Sequence, residues 1–156
     1  MPLSKITAIL SVAAIAVTTT VFAQTLPTIV VNPAIATMTV DQLVETRQDH
    51  MKQNGGLLRS AGGLTGDEAV AAATTILQNF TDFPALFAEG SINSDSKALP
   101  VIWEQWDQFE GIIKKGQAHA TEMLTAAIAG DSGAYGEAIK ALSQTCGECH
   151  QTFRGR

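Results

Sequence analysis

Cys146-Gly147-Glu148-Cys149-His150 is the densest group of reactive side chains in the 156-residue chain. Two thiols three positions apart share one face of a helix, and a histidine follows directly. That arrangement suits thioether formation. Both sulfurs reach the vinyl groups along one porphyrin edge, while a neutral imidazole swings beneath the ring toward iron. The spacing predicts one covalently attached haem c on Cys146 and Cys149, with His150 as an axial iron ligand. Three other chemistries compete with it. A disulfide across the same turn leaves His150 without a role. A zinc site needs about four ligands, and only His50 and His119 remain as nitrogen donors. A thioredoxin-like dithiol sits where a strand meets a helix, and no strand pattern precedes Cys146.

The motif needs a rigid support, and the periodicity supplies helices throughout. A first helix begins at Thr39-Val40-Asp41-Gln42, which has the form of a capping box, with Met38 and Leu43 placed as a hydrophobic staple. Val40, Val44, Arg47, Met51 and Leu58 fall near one face, and Gly62-Gly63 ends the helix. A second capping box, Thr65-Gly66-Asp67-Glu68, opens a helix running to about Phe80, with Pro84 limiting or kinking it. The third starts with Pro100 in its first turn, carries Ile102, Trp103, Trp106, Phe109 and Met123, and stops at Gly130. Asp131 or Ser132 caps a fourth helix that bears the cysteine motif. Trp103, Trp106 and Phe109 are expected to enclose the cofactor or fill the core. The predicted fold class is all-α, an antiparallel four-helix bundle with covalent haem on the C-terminal helix.

The chain's start reads as an export signal. Lys5 precedes an apolar run from Ile6 to Val17, and Val21-Phe22-Ala23 offers small residues for cleavage. Residues 1–23 are assigned to a signal peptide cleaved near Ala23, 24–37 to an extended lead-in, and 38–156 to the helical domain. The expected location is the periplasm, with no membrane attachment after cleavage. The net charge of −5 and the lack of a basic patch with interleaved aromatics argue against nucleic acid as a partner. No nucleophilic triad, phosphate-binding glycine loop or histidine pair with metal-ligand spacing is present, so the chain is not expected to be an enzyme.

Arg47, Met51 and Gly55 are spaced by four and form one line along the first helix. Such a line suits a helix lying over a flat cofactor. Arg47 could pair with a haem propionate, Met51 would face the iron, and Gly55 with Gly56 would let the backbone approach the ring. The plainer alternative is a solvated arginine and a methionine used for packing. His50, next to Met51, points about 100° away around the helix and is expected at the surface. His119 is expected to be solvated. Arg154, one turn after His150, is placed either beside the proximal imidazole or in solvent at the helix end.

From about Leu43 to Arg156 the sequence resembles the class II c-type cytochromes, meaning cytochrome c prime and its low-spin relatives. The resemblance rests on the C-terminal motif followed by Phe153-Arg154, on Arg47-Gln48 with Met51-Lys52, and on Lys97-Ala98-Leu99-Pro100 with Ile102-Trp103. It implies redox partner proteins and a choice at the sixth iron position. In the low-spin branch a methionine of the first helix is the second ligand, which suits electron transfer. In the high-spin branch the residue there only restricts access, and nitric oxide or carbon monoxide binds. The run Met51 to Gly55 resembles the low-spin branch more, making His150 and Met51 the expected ligand pair. Some members of the family dimerise through their first two helices, which leaves a homodimer open.

Overall fold

The computed structural model describes residues 26–156. The expected signal peptide lies outside the described residues. Five α-helices follow one another: α1 (Val40–Ala61), α2 (Gly66–Leu86), the single-turn α3 (Val101–Glu104), α4 (Trp106–Ala129) and α5 (Ser132–Phe153). The four long ones form the bundle. Among the described residues the sole β-type pairing is an isolated bridge between Ala98 and Arg154. No described helix is long and apolar enough to cross a membrane.

Local sequence explains three of the helix ends. The Thr39 hydroxyl accepts from the Gln42 N–H, and the Gln42 side chain accepts from the Thr39 N–H, completing the capping box. Asp131 caps α5 by accepting from the Ala134 N–H, and Gly130 closes α4 in the left-handed conformation.

Four expectations need correction. The lead-in is not wholly extended, because Pro33–Thr37 forms a 3-10 turn capped by Asn32. Thr65 makes no side-chain capping bond, so the second capping box is absent and α2 starts without one. The third helix breaks at Gln105, whose backbone (φ −124°, ψ 43°) separates α3 from α4. Finally, α2 does not end near Phe80 but runs through Pro84 to Leu86. Pro84 has no N–H to donate to the Phe80 carbonyl. The Gln117 side chain of α4 donates to that carbonyl instead, at 3.3 Å, so a neighbouring helix replaces the lost bond.

Packing around the bundle is uneven. α4 lies against both α2 and α5, and α1 lies against α2, whereas α1 and α5 scarcely touch. Ile76, Leu86, Ile102, Phe109, Met123, Leu124 and Leu142 are the large side chains that fill the fully buried centre. The seam between α1 and α5 stays open. It separates the helix carrying Met51 from the helix carrying the cysteine motif.

Candidate haem site between the first and last helices

Cys146, Cys149 and His150 sit on the last two turns of α5, each half-buried along that seam. Cys149 and His150 border two adjoining cavities of about 510 and 130 Å³, and Cys146 borders the smaller. Met51, Phe87 and Phe109 are shared by both cavities. The sequence-predicted residues on the first and last helices therefore meet around one continuous space.

The walls are aromatic. Phe80, Phe83, Phe87, Phe109 and Phe153 form a run of edge-to-face neighbours with ring centroids 4.8–6.4 Å apart, leading from α2 through α4 to α5. All five line one or both cavities. The phenylalanines, more than the tryptophans, enclose the space. Trp103 and Trp106 line neither cavity, and the Trp103 indole N–H donates to the Phe87 carbonyl at 3.0 Å. The signal that could have revealed Phe83 is its spacing, since Phe80, Phe83 and Phe87 recur at intervals of three and four along one helical face.

Burial leaves the reactive groups uncharged. The Cys146 thiol is pushed up by burial. Cys149 is pushed up to about 12 by burial first, with Cys146 and Glu148 adding to it. His150 is pulled down by burial and then by the Arg154 cation, which favours the neutral imidazole that can coordinate a metal. The two cysteines are free thiols. Among the described residues no group of three or more His, Cys, Asp or Glu side chains is arranged to hold a metal ion by itself, as a zinc site would require.

Arg47 reaches the larger cavity but is committed to protein. It is 2% exposed, and its Nη1 donates to the Leu86 carbonyl (3.1 Å) and Ser91 Oγ (2.8 Å). Its Nη2 donates to the Ser91 carbonyl (2.6 Å) and Ser96 Oγ (2.9 Å). The guanidinium carbon lies 4.5 Å from the Phe87 ring centroid, and burial pulls the group down to about 10, still a cation at neutral pH. A propionate pairing would have to share this guanidinium with the loop. The cations without such commitments at the wider cavity are Lys97 and Arg154, both exposed. Lys52 is there too, paired with Asp49 at 2.9 Å on the surface.

The remaining candidates divide. Gly55 borders the smaller cavity and Gly56 does not. His50 is not a free surface residue: its side chain is 20% exposed, lies against Phe83, and approaches the buried Asp82 carboxylate at 3.4 Å. His119 is partly covered and pairs with Glu122 at 2.9 Å, away from both cavities.

Two thiols, a neutral imidazole, an aromatic slot and cations at its wider mouth form a donor set that fits haem c. The comparisons with known proteins agree. The family described as Cytochrome C' matches residues 42–154. The chain belongs to the cytochrome c′ family. It is 38% identical to cytochrome c-556 of Agrobacterium tumefaciens (strain II Chrys), over 71% of this chain and 95% of that protein. It is 33% identical to cytochrome c' of Pararhodospirillum photometricum, over 72% of this chain and 90% of that one. Among solved structures, the nitric oxide complex of a point mutant of cytochrome c prime from Alcaligenes xylosoxidans shares the fold. Its TM-score is 0.65 at 21% identity, covering 76% of this chain and 98% of that one. As a member of the cytochrome c′ family the chain is an electron-transfer haem protein, not an enzyme.

Proposed function

We propose that the chain is a periplasmic monohaem cytochrome with haem c joined to Cys146 and Cys149 and His150 as the proximal ligand. Met51 screens the sixth position without binding it, leaving the iron open to nitric oxide or carbon monoxide. Haem, when bound, supplies a one-electron iron couple and an axial position for a small gas. The protein's part is to hold and shield it. Cys146 and Cys149 fix the ring edge on α5, the phenylalanine run excludes water, and Lys97 and Arg154 place positive charge near the wider mouth.

The observation that carries this reading is the apolar lining of the smaller cavity. It continues past Met51 along α1 to Asn54 and Gly55, walled by Phe80, Phe83, Ile112 and Ile113. Beyond the cysteine motif its polar lining is sparse: Asn54 Oδ1 accepts from Asn79 at 2.7 Å, and Thr145 donates to the Ala141 carbonyl at 3.0 Å. A mainly apolar, aromatic-walled space beside the methionine suits a diatomic gas better than a polar substrate. The shared fold with a nitric oxide complex supports the same reading.

A second reading follows from Met51 itself. Its polarisable thioether borders both cavities together with His150, which supports a role as second ligand in a dedicated electron carrier. Optical and electron paramagnetic resonance spectra of the ferric protein separate the two. High-spin iron is expected. A low-spin signal with a methionine-to-iron charge-transfer band would transfer the assignment to the second reading.

A further inference from the structure

The loop between α2 and α3 crosses the open seam and is anchored on both sides of it. On the α1 side, Arg47 makes three hydrogen bonds to Ser91 and Ser96 at 2.6–2.9 Å. Gln48 donates to the Asp95 carbonyl at 2.8 Å, and Asn93 donates to Asp41 at 2.8 Å. On the α5 side, the Leu99 N–H donates to the Phe153 carbonyl at 3.0 Å and the Gly155 N–H to the Lys97 carbonyl at 2.7 Å. Ser96 Oγ links the two halves, accepting from Arg47 and also from the Ala98 N–H at 3.2 Å. Asp95, Ser96, Lys97 and Ala98 form part of the larger cavity's wall. Because α1 and α5 scarcely touch, this loop is the main hydrogen-bonded link between them.

We infer that Arg47 is a positioning residue: through the 91–99 strap it sets the distance between Met51 on α1 and His150 on α5. The inference rests on the haem reading above. Four of the five guanidinium N–H groups are used by the strap and the end of α2, and the planar fork meets acceptors in several directions at once, which an ammonium cannot reproduce. Met51 lies one helical turn from Arg47, so a shift of the strap is felt directly at the distal wall. His150 lies one turn before Phe153 and Arg154, where the strap's other end is bound. Arg47 acts here through the strap, not through the cofactor.

The test compares Arg47→Lys with the double variant Ser91→Ala/Ser96→Ala in the purified haem-loaded protein. Covalent haem in the wild type, read from its mass under denaturing conditions, checks the underlying reading first. Hydrogen exchange at Leu99 and Gly155 and the ferric spectrum are then followed together. Both variants are expected to speed exchange at these two amides by about tenfold or more, since charge-assisted bonds are lost. They are also expected to shift the spectrum in the same direction. If the serine pair leaves the spectrum unchanged while Arg47→Lys alters it, Arg47 acts directly on the cofactor and the inference fails. Unchanged exchange in both variants overturns it as well. Should the wild type carry no haem, the exchange measurements still decide whether Arg47 holds the strap.

Discussion

A methyl group on Gly116 of α4 would overlap the ring of Phe80 on α2. The missing side chain therefore sets how closely the two helices approach, and Phe80 in turn forms a wall of the smaller cavity. Helix packing and site shape depend on the same contact.

Gly116→Ala is expected to destabilise the protein. Alanine gains roughly 1 kcal/mol over glycine in a helix, but overpacking a buried contact costs about 1–3 kcal/mol or more. Gly111 on the same helix has open space where a Cβ would stand, so Gly111→Ala is the control and should be neutral or stabilising. Urea unfolding of the three proteins checks the sign.

Gln117→Ala leaves the Phe80 carbonyl without its donor, at an expected loss of about 1–2 kcal/mol. In a Pro84→Ala background residue 84 regains an N–H for that carbonyl, and the same change at Gln117 should then have little effect. A double-mutant cycle measures the coupling. Additive effects would mean that the side chain does not replace the missing helical bond.

Cys146→Ser and Cys149→Ser should each leave a single thioether, and the double variant none. Denaturing mass spectrometry reports retention directly. The pyridine haemochrome spectrum distinguishes one saturated vinyl from two. Full attachment in either single variant would overturn the assignment.

Met51→Ala should leave ferric iron high-spin and speed the entry of carbon monoxide and nitric oxide, by removing the screen. Because Met51 is only partly buried beside a cavity, the stability loss should fall near the low end for such truncations, about 2 kcal/mol. Conversion from low-spin to high-spin in this variant would instead identify Met51 as a ligand. Stopped-flow gas binding and paramagnetic resonance supply the two readouts.

The sequence by itself carried whatever is written within a few residues. The Cys146-to-His150 spacing carries the proposed haem attachment, the Thr39–Gln42 capping box is complete at one turn's range, and helical periodicity identifies four long helices. The site's two sides, α1 with Met51 and α5 with His150, could also be named. Tertiary structure decided how those parts are held. Arg47 finds its acceptors 39–49 residues away, so no local pattern could tell a propionate partner from a loop anchor. Pro84 stays inside α2 because Gln117, from another helix, donates to the stranded carbonyl. His50 turns from the surface toward Asp82 because α2 brings that carboxylate alongside. Local propensity fixes where helices form, but a buried donor or acceptor must be satisfied by whatever the fold places beside it, and that depends on residues far apart in the chain.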